Sequence, residues 1–148
     1  MTKPLNDSLA ALCARHGVAE LYAFGSRAGD TVARLRGGQA HAGPAGSDVD
    51  VGVRFTREAV APDALERLDS LVSLSGELEG LLGLGRVDLV DAASAEPFVA
   101  ADIVRGELLW CRDAADQAEF ELYVLRRAGD LAWFKRREMG SILFGEAL

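Results

Sequence analysis

Soft metal ligands are scarce in this chain, which has two cysteines, Cys13 and Cys111, and two histidines, His16 and His41. Neither a disulfide framework nor a four-ligand zinc site is expected from so few and so scattered ligands. The two thiols lie far apart, each in an apolar stretch, and read as free and buried. Long apolar runs are also missing: none approaches the ~20 residues that span a bilayer. Met1 to Leu12 carry one lysine and early polar breaks, unlike a secretory leader. The expectation is a cytoplasmic protein without a membrane partner. Positive charge is in short supply, with 16 Lys and Arg against 23 Asp and Glu, a net charge of −7. A bare nucleic-acid backbone repels such a chain, so no direct nucleic-acid binding is expected.

What remains is an ordinary globular composition, 49% apolar and 26% charged over 148 residues. This is enough apolar surface to offset ordering entropy in one domain, residues 1–148. Helical spacing runs from Leu5 to His16 and stops at Gly17. Val18 to Phe24 reads as a strand ending at Gly25-Ser26, and residues 27–36 can start a short helix. Residues 37–47 are a Gly- and Ala-rich loop. Asp48 to Arg54 alternates with period two, placing Asp48, Asp50 and Gly52 on one face and Val49, Val51 and Val53 on the other. A helix is predicted over Pro62 to Leu82, with Leu65, Leu68, Leu71, Val72, Leu78, Leu81 and Leu82 as its apolar set. Arg86 to Val90 is a strand with Asp88 facing away from Val87 and Leu89. Glu96 to Arg105 looks helical, and Glu107 to Cys111 fits a short strand. Asp113 caps a long final helix, about 113–144. The fold class is therefore α/β (α+β): a small mixed sheet flanked by helices.

The sharpest chemical signal is Asp48-Val49-Asp50. Two acids at i and i+2 on a strand point the same way, and crowded carboxylates cannot both stay ionised without compensation. A divalent cation such as Mg²⁺, which takes hard oxygen ligands, supplies it. Standing alone, the tripeptide reads more readily as a polar strand face open to water. Upstream, Gly25-Ser26 sits between a strand and a helix, where free N–H groups and a hydroxyl can hold phosphate; alone, it is a plain turn with Ser26 as cap. Downstream, Asp88 is a third strand acid. Arg27 can touch a bound phosphate or be a surface arginine after the turn. His41, in the loop, is expected to be exposed rather than catalytic.

Taken together, Leu21-Tyr22-Ala23-Phe24-Gly25-Ser26-Arg27-Ala28-Gly29, Gly46-Ser47-Asp48-Val49-Asp50-Val51-Gly52-Val53 and Arg86-Val87-Asp88-Leu89-Val90 resemble the minimal nucleotidyltransferases of the DNA polymerase β superfamily. The match covers residues 18 to about 112 in order and spacing. One departure is the 21 positions between Ser26 and Asp48, more than the family pattern usually carries; a tolerated insertion is favoured over a mobile flap. The resemblance implies a polymerase β-like fold with a long C-terminal helix. It also implies a nucleotidyltransferase that moves a nucleoside monophosphate, with AMP expected, from an NTP to a hydroxyl. Asp48, Asp50 and Asp88 are then the catalytic residues and the ligands of two Mg²⁺ ions, and Gly25, Ser26 and Arg27 bind the nucleotide.

Free-standing members of that family are often antitoxins paired with a helical HEPN-type ribonuclease toxin, so a toxin tyrosine is the expected acceptor. The alternatives are a drug-modifying nucleotidyltransferase and a non-catalytic antitoxin or binding module with the same fold. An Asp-x-Asp glycosyltransferase ranks last, because it leaves Gly25-Ser26 unexplained. The last helix, with Leu122, Leu125, Trp133 and Phe134 among Arg126, Arg127 and Lys135, reads first as a core cover and second as a partner-docking surface.

Overall fold

A computed structural model describes residues 2–37 and 48–144. The loop expected at 37–47, with His41, falls almost wholly outside the described residues. The elements, in order, are helix α1 (Thr2–His16), strand β1 (Val18–Phe24), helix α2 (Ala28–Leu35), strand β2 (Val49–Phe55), helix α3 (Ala64–Leu82), strand β3 (Val87–Asp91), helix α4 (Pro97–Val104), strand β4 (Glu107–Cys111) and helix α5 (Ala114–Phe144). The four strands form one sheet in the order β3-β2-β1-β4. β1 runs antiparallel to β2 and to β4, while β2 and β3 are parallel. This is the small mixed sheet that the sequence predicts. Several bounds move: α1 begins before Leu5, and α3 begins after Pro62, where the Asp63 side chain accepts from the Leu65 N–H at 3.0 Å.

Strand alternation assigns each strand's side chains to one of two layers. Val49, Val51 and Val53 face a core built with Leu9, Leu12 and Cys13 of α1, Leu35 of α2 and Leu74, Leu78 and Leu82 of α3. The other face carries Tyr22, packed with Ala100, Ala101 and Ile103 of α4 and with Val124 and Ala128 of α5. Cys13 is fully buried and its thiol is pushed up to about 12 by desolvation, whereas Cys111 is only half-buried, not buried as expected. A second correction concerns α3: Leu65, Leu68 and Val72, assigned to its apolar face, are 73%, 56% and 63% exposed, while the helix buries Leu78 and Leu82 as predicted and adds Leu74, which the predicted set lacks. The predicted set spans more than half of the helix circumference, and a single sheet face covers only one stripe of it.

The second face reads as rows across the strands. Glu20 pairs with Arg54, Tyr22 with Gly52 and Val90, and Phe24 with Asp50 and Asp88. The start of α5 covers the first row. There Arg54 donates from Nε to Glu20 Oε1 at 2.6 Å and from Nη2 to Glu20 Oε2 at 2.5 Å and Asp116 Oδ2 at 2.7 Å, while its guanidinium lies 4.8 Å over the Phe120 ring. Tyr22 donates its hydroxyl to Glu121 at 3.0 Å. α4 covers the second row, where Ile103 fills the space above Gly52: a Cβ on that glycine would come within 2.3 Å of Ile103 Cγ2. Asp50, in the third row, is half-buried and Asp88 is exposed. The helical cover thus thins where the acids begin.

α5 covers the core along one stripe and leaves apolar side chains exposed elsewhere. Val124 and Ala128 are buried against the α4 layer, while Leu122, Tyr123, Trp133, Phe134 and Met139 stay exposed. No helix among the described residues is long and apolar enough to cross a membrane.

Candidate active site

Asp50 stands at the centre of the third row. Its Cα is in register with Phe24 on one side and Asp88 on the other. Neighbouring strands lie about 4.8 Å apart, so two carboxylates on one face of adjacent strands are held close by backbone pairing alone. Asp48 sits two positions before Asp50 on the same side of the chain, at the strand's entry. The carboxyl of Asp50 is shifted above the ordinary range. Partial burial is the largest cause, followed by the negative charges of Asp88 and Asp48. Asp50 therefore feels the charges of the other two predicted acids, one on its own strand's entry and one on the adjacent strand.

The β1 side of Asp50 is closed by backbone. Gly25 has φ +76°, and a Cβ there would lie 2.5 Å from Asp50 Oδ2. Glycine is needed twice over, for the left-handed turn and for the room it leaves the carboxylate. Gly25 and Ser26 are exposed beside the acid, just before α2. Arg27 differs from its neighbours: it is 6% exposed, with Nε donating to Asp30 Oδ2 at 3.2 Å and Nη1 to the Leu84 carbonyl at 3.0 Å. Those bonds tie the start of α2 to the turn after α3.

Beyond β3 lies a groove of about 390 Å³ between that strand and α3, lined by Leu68, Val72, Val87, Asp88 and Leu89. Along it, Ser75 donates to the Val87 carbonyl at 2.9 Å and the Val87 N–H donates to Glu79 at 3.0 Å. α3 thereby satisfies outward-facing backbone groups of the edge strand, which blunts the edge against pairing with another chain. The exposed Leu68 and Val72 noted above form the groove's outer wall.

Among the described residues, no group of three His, Cys, Asp or Glu side chains is drawn together into a ready metal cage. The donor chemistry still fits a hard divalent cation: Asp50 is opposed first by burial and then by Asp88 and Asp48, and among the described residues no histidine or thiolate is among the causes of its shift. Features that sequence reading missed are the Gly52 notch under Ile103 and the Glu20–Arg54 pair. Both fix the sheet under its helices, and the alternation of Asp48, Asp50 and Gly52 was the one signal that pointed toward the notch.

Comparison with known proteins gives the same picture. The chain's fold is similar to that of a toxin–antitoxin structure with AMP-PNP, at 20% identity and TM-score 0.62, covering 93% of this chain and 98% of that one. It is also similar to a tri-AMPylated Shewanella oneidensis HEPN toxin in complex with MNT antitoxin, at 18% identity and TM-score 0.59, covering 97% and 99%. An MntA–HpeT toxin–antitoxin mutant matches at 19% identity and TM-score 0.63, covering 93% and 98%. No curated protein matches the chain. The family model described as "Polymerase beta, Nucleotidyltransferase" matches residues 7–115, a span that holds the glycine turn, both acid strands and the helices beneath them, and the chain belongs to that family.

Proposed function

We propose that the protein transfers AMP from ATP to a hydroxyl group in a Mg²⁺-dependent reaction, and that the acceptor is a tyrosine of a HEPN-type toxin for which this chain serves as antitoxin. The observation that carries the reading is the register Phe24–Asp50–Asp88, with Asp50 pressed against Gly25 and its ionisation opposed by Asp88 and Asp48. Support for the acceptor comes from structures of the same fold, one a toxin–antitoxin with AMP-PNP and one a tri-AMPylated HEPN toxin in complex with MNT antitoxin.

Asp48, Asp50 and Asp88 would hold Mg²⁺, which supplies charge neutralisation for the attacking and leaving oxygens. The chain's own residues do the positioning. Gly25 and Ser26 present backbone N–H groups and a hydroxyl to the β- and γ-phosphates at the exposed turn before α2. The acceptor oxygen forms a bond to the α-phosphorus, the bond from that phosphorus to the bridging oxygen breaks, and pyrophosphate leaves. Asp88, the exposed acid on the outer strand, takes the acceptor's proton. Burial on the Asp50 side and exposure on the Asp88 side suit a nucleotide held deep and an acceptor arriving from outside. Transfer of this kind needs placement and neutralisation rather than covalent chemistry from the protein.

The test is transfer of label from α-³²P-ATP with Mg²⁺ to a purified HEPN-type toxin, to an aminoglycoside, and to no acceptor, using the wild type beside Asp48→Ala and Asp50→Ala. Label on the toxin that either substitution abolishes is the expected result. Label on the drug alone would move the acceptor to the drug-modifying reading. No transfer and no Mg²⁺-dependent nucleotide binding would leave a binding module.

A further inference from the structure

We propose that Arg86 is a phosphate-binding residue that closes the acid face on the side opposite Gly25 and Ser26; this rests on the nucleotidyl-transfer reading above. The Arg86 carbonyl accepts from the Val49 N–H at 2.9 Å, a bond that closes the Val49–Val87 bridge and holds Arg86, the residue just before β3, at the entry of β2. Alternation then places Arg86 on the face of Asp88, and the Val49–Val87 register places it beside Asp48. Arg86 is exposed, and among the described residues its side chain has no hydrogen-bond or ion-pair partner, although an aspartate neighbours it in register. The arginines nearer the glycine turn are committed elsewhere. Arg27 bonds Asp30 and the Leu84 carbonyl, and Arg34 donates to the Leu82 carbonyl at 2.8 Å.

Asp50 and Asp88 stand side by side in register, with Asp48 at the entry of the same strand. A phosphate entering this face meets three carboxylates, and cations other than the metal must come from the chain. A guanidinium presents a planar fork that matches two phosphate oxygens at once. β1 and β3 stand two strand spacings apart, about 10 Å, with β2 and its two acids between them. The glycine turn grips a phosphate chain from the β1 side, and Arg86 meets it from the β3 side. The phosphate it meets belongs either to the incoming triphosphate or to a nucleotide already joined to the acceptor.

Calorimetry separates these sources. One arm titrates an ATP analogue with a methylene bridge between its α- and β-phosphorus into protein with Mg²⁺. The other titrates the dinucleotide ApA, which carries a single phosphodiester, into analogue-saturated protein. Arg86→Ala is expected to weaken binding about tenfold or more in one arm, with Arg86→Lys recovering part of the loss and both variants melting like the wild type. A loss in the first arm identifies the triphosphate, and a loss confined to the second identifies the acceptor phosphate. Wild-type affinity for Arg86→Ala in both arms overturns the proposal while leaving the transfer reading intact. Failure of the wild type to bind the analogue overturns the transfer reading, and the role of Arg86 with it.

Discussion

Gly25 and Asp50 stand so close that a methyl group on the glycine would lie 2.5 Å from the aspartate's Oδ2. The turn and the acid are therefore one unit, although 24 residues separate them in the chain. Gly25→Ala is expected to force an L side chain into a left-handed conformation at about 1–2 kcal/mol and to push the carboxylate aside. In thermal unfolding this appears as a loss of roughly 2–8 °C. Affinity for Mg²⁺ with nucleotide should fall as well, whereas Gly29→Ala, where a Cβ has open space, should change neither.

Asp50 makes metal-free stability depend on pH. Its folded pKa is raised, first by burial and then by Asp88 and Asp48, so the folded protein holds that proton more tightly than the unfolded chain does. The resulting destabilisation is absent below the ordinary carboxylate pKa of about 4, grows as pH rises through the raised folded value, and is complete above it. Asp50→Asn should therefore raise the melting temperature of metal-free protein near neutral pH, with the gain shrinking toward pH 4. Mg²⁺ should stabilise the wild type and not the variant. A variant that melts below the wild type throughout that pH range contradicts this electrostatic account.

Gly52 holds the helical cover in place. A Cβ there meets Ile103 Cγ2 at 2.3 Å in a fully buried layer. Gly52→Ala is expected to destabilise by about 1–3 kcal/mol through overpacking. Combining it with Ile103→Ala should recover part of that loss, because the alanine removes the Cγ2 that the new methyl group meets. Additive losses in the double variant, measured by urea unfolding, would mean that the contact is not the cause.

The Glu20–Arg54 pair anchors the opposite end of that face. Glu20 is completely buried, and Arg54 supplies both of its charged hydrogen bonds. Arg54→Met leaves that carboxylate buried without a partner and is expected to lose about 3–5 kcal/mol. Arg54→Met with Glu20→Gln should fall much closer to the wild type. If the two single variants and the double variant unfold at the same urea concentration, the pair holds nothing together.

Local patterns made much of this legible from the sequence. The alternation through Asp48, Val49, Asp50, Val51 and Gly52 assigned each residue to its layer, because a strand has only two faces. The pairing of Asp50 with Asp88 could be expected but not read, since register between strands 38 residues apart depends on the packing of α3 against both. The apolar face of α3 was misassigned for a related reason. Leu65, Leu68 and Val72 satisfy helical spacing, yet the sheet stops at β3 and leaves all three exposed, Leu68 and Val72 beside the groove. Arg27 shows the same limit: its position after the turn left phosphate contact and a surface arginine open, and neither pointed to the burial of its side chain or to its bond with a carbonyl 57 residues away. Glu20 and Arg54 carried no motif, and only folding brings them face to face.

Whether Asp48, Asp50 and Asp88 meet around a shared cation is tested most directly by electron paramagnetic resonance of Mn²⁺ titrated into protein holding the methylene-bridged ATP analogue. The wild type should bind Mn²⁺ in a nucleotide-dependent manner. Asp48→Asn, Asp50→Asn and Asp88→Asn should each weaken that binding by about tenfold or more, at least the loss typical of removing a ligand's own hydrogen-bond support. Equal Mn²⁺ affinity in the wild type and Asp88→Asn would place the third acid outside the site and contradict the account.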